Sequence, residues 1–212
     1  MTARRSDIES QIADDLDRSD LTDQIGRAVE TTIRMHENDR YAFNQVYSYT
    51  TTLSSSAATI PLSRLDYRFL EIDRIRLVRT STWYEELEKS TYQDVMSEQD
   101  VVVYTPPLRY TVYADTIQFD ARADQNYGII IDGLISLGNN QSNSYSANDT
   151  TAWFNDARDM IRAGAKKDLF AHVIKDNDQA LAMSVLEDRA HKMLKGKANQ
   201  KVATGQISPV DW

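Results

Sequence analysis

The chain has 212 residues, 41% of them apolar and 26% charged, which is enough for a buried core in one or two domains. The absence of cysteine excludes disulfides and thiolate metal sites. No apolar run approaches the roughly 20 residues of a membrane span, and a net charge of −8 argues against a broad basic face for nucleic acid. The charge is unevenly spread: residues 1–40 carry six basic and ten acidic side chains, residues 41–147 eight and thirteen, and residues 148–212 ten and nine. Met1 to Asp15 has two arginines but no apolar stretch behind them, unlike a secretory leader.

In chain order, Ser6 and Glu9 match a capping box. Ile8, Ile12 and Leu16 follow at helical spacing, which predicts a short helix over Asp7 to Asp17. A longer helix is predicted from Leu21 to Asp39, with Leu21, Ile25, Ala28, Val29, Thr32 and His36 on one face. At Tyr41 the texture turns to short runs of Tyr, Thr, Ile and Val. Strands are predicted at Val46 to Leu53, Leu70 to Arg79, Trp83 to Leu87, Val101 to Tyr104 and Tyr127 to Leu137. Ile60-Pro61-Leu62 reads as an edge segment, because proline cannot donate to a ladder. Thr91 to Glu98 reads as a helical turn, and Arg109 to Tyr113 with Thr116 to Asp120 as a hairpin across Ala114-Asp115. Polar residues 138–147 form a loop.

The last part of the chain organises the rest. Asn148 or Asp149 is positioned to cap a helix whose apolar face is Phe154, Ala157, Ile161, Gly164, Ala165, Leu169 and His172. Asn177 or Asp178 is positioned to cap a second helix with the stripe Ala182, Met183, Leu186, Ala190, Met193 and Leu194. So short a link makes the two helices antiparallel neighbours. The whole pattern predicts an α+β fold: a helical bundle from both chain ends, residues 1–40 and 148–197, with an inserted antiparallel β sandwich or barrel over 41–137. Residues 198–212 read as an extended tail, since Gly205 and Pro209 break any helix.

Few residues invite chemistry. Asp168, His172 and Asp176 share a helix face at four-residue steps and match metal-ligand spacing, but His172 lies on the apolar stripe and reads as a core or interface histidine. His36, aligned with Ile25, Val29 and Thr32, reads the same way. Glu85, Glu86 and Glu88, with Asp120 or Asp132 as partner, offer carboxylates for glycan hydrolysis, but a solvated acidic face is the commoner case and the reading taken. There is no glycine-rich phosphate loop or nucleophile elbow. No catalytic residue, cofactor or metal is therefore expected. Trp153 reads as a packing anchor. Arg189, Lys192, Lys195, Lys197 and Lys201 form a basic run with no acid between them, either a solvated helix end near its dipole or a docking patch for an acidic partner. Ile207, Val210 and Trp212 have no evident core to join and read as anchors for a partner's groove.

The order of these features resembles the head-to-tail adaptor (connector) proteins of tailed bacteriophages, especially short-tailed ones. Arg18-Ser-Asp-Leu-Thr-Asp-Gln-Ile25 before an amphipathic helix is similar to that family's opening. Tyr41-Ala-Phe-Asn44, Tyr49-Thr-Thr51, Ile60-Pro61 and Phe69-Leu-Glu-Ile-Asp73 are similar to the start of its β region. Tyr127 to Leu137, the Asn-rich loop and Asn148-Asp-Thr-Thr-Ala-Trp153 before a helical hairpin resemble its second half. The similarity spans about residues 16 to 190; the loop before Asn148 and the tail depart from it. It implies a structural virion protein at the head–tail interface, not an enzyme. Such a protein forms a ring, commonly of twelve copies, that binds the portal protein and a tail or nozzle protein. Genomic DNA passes through its bore without specific binding, and no membrane is involved. An acidic bore suits that role, because like charge keeps phosphate from sticking. The alternative is a glycan-hydrolysing or glycan-binding β module on a helical stalk.

Overall fold

The computed structural model describes residues 3–80, 83–99, 103–138 and 145–203, with 200–203 as backbone. The fold is α+β, with helices at both ends of the chain and sheets between them. It divides into two compact units, Met1–Asn44 with Leu137–Trp212, and Gln45–Ser136.

The helical unit is built from α1 (Arg5–Leu16), α2 (Thr22–His36), α4 (Ala152–Asn155), α5 (Arg158–Leu169) and α6 (Asn177–Ala203). Ile8 and Ile12 of α1 meet Ile25, Ala28, Val29 and Ile33 of α2 and Met160, Ile161, Ala165 and Leu169 of α5 in one buried core. Trp153, 1% exposed, sets its ring edge-on to Tyr41 and Phe43, with centroids 5.7 and 5.0 Å apart, and closes the end of that core. Gly164 is the closest approach of α5 to its neighbours: a Cβ there would run into the Thr32 methyl and come within 2.8 Å of Glu187 Oε1.

Polar clamps set how α1 lies on the unit. The Arg5 guanidinium binds Glu9 and Glu30, each at 2.7 Å, and also the Tyr145 carbonyl. At the other end Asp15 takes Arg162 at 2.6 Å and Lys166 at 2.9 Å from α5. Partial burial pushes the Asp15 carboxyl up, but the two cations outweigh it and hold it below the usual carboxylate range. A depressed folded-state pKa contributes stability above the unfolded pKa, and that contribution is lost as pH falls through the folded value. Asp15→Asn is therefore expected to cost under ~1 kcal/mol near neutrality, since the group is a third exposed, and to flatten the fall of stability as pH drops below the ordinary carboxylate value of 3.8. Urea midpoints of both proteins across that range check it; an equal acid slope in the two would contradict it.

Several helix ends differ from expectation. Ser6 lies inside α1 and Glu9 is taken by Arg5, so the box expected between those two does not form; the amide of Arg4 donates instead to Asp7 Oδ2 at 2.8 Å, three residues on. Asp149 holds the amide and hydroxyl of Ser146, at 2.6 and 2.7 Å, and does not cap a helix; α4 begins after Thr151. Asp176, not Asn177 or Asp178, caps α6, its Oδ1 accepting the Gln179 amide at 3.0 Å. Helix α6 runs to Ala203, past the expected start of the tail, with Ala198 5% exposed against the unit.

The second unit has two four-stranded sheets. One orders β1 (Gln45–Leu53), β8 (Tyr127–Ser136), β3 (Arg68–Val78) and β4 (Tyr84–Glu86), all antiparallel. The other orders β2 (Thr59–Pro61), β7 (Thr116–Phe119), β6 (Arg109–Tyr113) and β5 (Glu88–Lys89); its only parallel pairing is β5 with β6. Helix α3 (Tyr92–Gln99) precedes β6. Ala114 and Asp115 both adopt positive φ, 47° and 54°, the two-residue turn whose twist matches a hairpin. Pro61 lies on an edge strand. Of the expected strand Val101 to Tyr104, the first two residues lie outside the described ones, and Tyr104 makes an isolated bridge with Arg122. Strand β8 is central and buried along nearly its whole length, which explains its unbroken apolar run.

Candidate partner-binding face

Helix α6 is packed on the unit through a line that the apolar periodicity does not pick out. Leu194 and Ala198 are buried on it, but so is Glu187, at 6% exposure, with His191 half-buried beside it. Glu187 Oε1 binds His36 Nε2 of α2 at 2.9 Å, and its Oε2 binds Lys167 Nζ of α5 at 2.5 Å. Burial pushes this carboxyl up, and His36 and Lys167 outweigh it, holding it below the usual range. A buried charge with two partners fixes the rotation of the helix, because any other rotation strands it. Of the expected stripe, only Leu194 is buried; Met183 and Ala190 are half-buried, and Ala182, Leu186 and Met193 are exposed.

The consequence is an apolar outer face. Leu181, Val185, Leu186 and Met193 are 69%, 63%, 48% and 59% exposed along about three turns. Met183, Leu186, Ala190 and Met193 also form one wall of a groove against α5, whose wall is Asp159, Arg162, Ala163 and Lys166, with Arg189 at the rim. Leu181 and Val185 lie outside the stripe read from the sequence. The available signal was that α6 carries apolar residues on too many sides for one contact.

The expected basic run is only partly free. Lys192 pairs with Asp188 at 2.6 Å, and Lys195 with Asp39 at 2.6 Å. Among the described residues, Arg189 and Lys197 make no salt bridge. The Lys201 side chain and Ile207, Val210 and Trp212 lie outside the described residues.

His172 is not a core residue. Its side chain is 76% exposed, 3.6 Å from Asp168. Residues Phe170–Ile174 form a π-helical turn, and its wider arc swings His172 off the line that a continuous α-helix would follow. Asp176 is engaged in capping, so Asp168, His172 and Asp176 do not converge on one point, in keeping with the reading against a metal there. His36 is instead the histidine with partners: His36 Nδ1 lies 3.5 Å from Asp39 Oδ2, and His191 Nδ1 lies 3.9 Å from the same oxygen. The Tyr41 hydroxyl is 3.0 Å from His191 Nδ1. Among the described residues, His36, Asp39 and His191 are the only cluster that brings three possible metal ligands within 4.8 Å of one another.

The carboxylates of the β unit are largely committed. Asp132 binds Arg74 and Arg76, Glu85 binds Arg79, Asp120 accepts the Leu108 and Arg109 amides, and Glu88 lies 3.3 Å from Arg109. Glu86 stays exposed. No helix among the described residues is long and apolar enough to cross a membrane. No protein-family model and no curated protein matches the chain.

Proposed function

We propose that the chain is a structural subunit of the head-to-tail adaptor of a tailed, short-tailed bacteriophage. In this reading, copies form a ring, twelve in the usual arrangement, that joins the portal protein to the tail or nozzle protein and lets genomic DNA pass. The observation that carries it is the outer face of α6. Leu181, Val185, Leu186 and Met193 put four large apolar side chains of one helix into solvent, which suits a protein-binding surface. Arg189 and Lys197 beside them favour an acidic partner. A subunit charge of −8 opposes packing against its own copies until a complementary surface is supplied.

The isolated protein is accordingly expected to scatter light as a monomer or small oligomer at moderate salt and to add a ring of density when mixed with portal rings of the same phage in negative stain. Val185→Asp with Leu186→Asp is expected to weaken that association at least a hundredfold, since each buried aliphatic group contributes roughly 1.5–3 kcal/mol. Both positions are exposed, so circular dichroism and unfolding of the variant should match the parent. Portal rings decorated equally by the variant would remove α6 from the interface; a stable dodecamer without portal would remove the assembly order.

A second reading draws on the β unit. Trp83, Tyr104 and Tyr113 are 56%, 52% and 53% exposed, and Tyr92 lies on Tyr113 with centroids 4.2 Å apart. Such aromatics would serve a glycan-binding module. Co-sedimentation with cell-wall glycan, without portal binding, would favour it.

A further inference from the structure

We infer that His36, Asp39 and His191 bind one divalent transition-metal ion of the zinc class, which clamps the end of α2 to the middle of α6. His36 and Asp39 lie three residues apart at the end of α2, and His191 of α6 joins them only in the folded helical unit. The two Nδ1 atoms face one carboxylate oxygen, Asp39 Oδ2, at 3.5 and 3.9 Å. These separations are longer than a good hydrogen bond of about 2.7–3.2 Å. They are close to the roughly 3.3 Å edge of a tetrahedron with metal–ligand distances of about 2.0 Å. Small side-chain shifts would close the site.

The surrounding hydrogen bonds favour the ligating state. His36 Nε2 faces the Glu187 carboxylate at 2.9 Å, so that nitrogen donates there, and Nδ1 is the ring nitrogen that faces Asp39. A carboxylate on the distal nitrogen of a ligating histidine is the usual means of fixing its tautomer and ring plane. Lys195 holds Asp39 Oδ1 at 2.6 Å, and Oδ2 is the oxygen that faces both imidazoles. The Tyr41 oxygen, 3.0 Å from His191 Nδ1, is the nearest protein atom for a fourth position, with water as the other choice.

Two imidazoles and one carboxylate select zinc, cobalt, nickel or copper over magnesium or calcium. Lys195 and Lys167 balance Asp39 and Glu187, so affinity must come from the ligand bonds and not from a negative field. The proposal is independent of the adaptor reading.

The test is titration of the full chain, stripped with chelator, by Co2+ and Zn2+. The expected result is one Co2+ per chain with visible absorption of tetrahedral intensity, displaced by Zn2+, and a Zn2+-dependent rise in Tm that chelator reverses. His191→Gln and Asp39→Asn should each lower the affinity at least tenfold. His172→Gln removes the only other histidine of the chain, which is exposed, and should leave affinity unchanged. Absence of stoichiometric binding at tens of micromolar metal, or equal loss in His172→Gln, overturns the proposal. Should a variant fail to fold, the Tm response of the parent chain still decides: no rise with Zn2+ overturns it.

Discussion

Gly133→Ala is expected to lower the stability of the β unit by about 3 kcal/mol, at or beyond the upper end of ordinary overpacking. In most strand positions this change would help, because glycine weakens a strand. At Gly133 the backbones are too close. The residue sits mid-way along β8, paired with Val46 of β1 on one side and Ile72 of β3 on the other. Register shifts bracket Ile72 on β3, between Phe69 and Glu71 and between Ile72 and Arg74, and they bring the Glu71 carbonyl over the glycine. An added Cβ would collide with that oxygen and would lie 3.2 Å from both Ile72 Cα and Phe69 Cδ1. Backbone cannot step aside without breaking the central ladder. Gly128, at the start of the same strand, is the control: its Cβ would meet the Val78 side chain at 3.1 Å, which a small shift accommodates. Equilibrium unfolding in urea should show the loss for Gly133→Ala and a change within ~1 kcal/mol for Gly128→Ala. Equal, small effects at both glycines would mean that the close approach is not rigid.

What was legible in the sequence is what local rules determine. Pro61 marked an edge strand because a missing donor is tolerable only there. The run Ile129-Ile-Ile131 marked a strand, and burial on both faces at the middle of its sheet accounts for the run. The helical stripes on α2 and α5 were legible because their contacts are almost wholly apolar: Ile25, Ala28, Val29 and Ile33 on one, Ile161, Ala165 and Leu169 on the other. Helix α6 was misread because its contact is partly ionic. Periodicity counts apolar side chains, and the residues that orient α6 are Glu187 and His191, whose partners His36, Asp39 and Lys167 lie elsewhere in the chain. The same rotation that buries Glu187 turns Leu186 and Met193 to solvent, so the candidate interface was hidden in a stripe that read as core. His172 was lost to a π turn that sequence spacing does not announce. The caps at Asp7 and Asp176 each fell a residue or more from the expected positions, which is the ordinary uncertainty of helix ends.

Asp132→Ala is expected to cost about 3 kcal/mol, the low end for breaking a buried ion pair. Asp132 is only 2% exposed on β8 and serves three groups. Arg74 Nε reaches it at 2.5 Å, and an Arg76 guanidinium nitrogen spans both its oxygens at 3.1 and 3.2 Å. Its Oδ1 also accepts the Ser48 amide at 2.6 Å. Ser48 has φ of 59°, a conformation that a residue with a Cβ adopts at a cost, and it lies where the β1 register shifts between Val46 and Tyr49. Alanine would leave two guanidinium groups and that amide without this acceptor. The arginines are 37% and 22% exposed, so water recovers part of their solvation and keeps the loss near the lower bound. Asp132→Asn should cost about half as much, since an amide oxygen still accepts from Ser48 while the charge is gone. Ser48→Gly in the Asp132→Ala background should restore roughly 0.5–1 kcal/mol, because glycine takes positive φ without the Cβ penalty. Urea unfolding of the parent, the two single variants and the double variant measures each step. If Asp132→Ala and Asp132→Asn lose the same amount, the Ser48 hydrogen bond contributes nothing; if Ser48→Gly restores nothing, the bulge is not strained and the ion pairs alone hold β1 and β3 to β8.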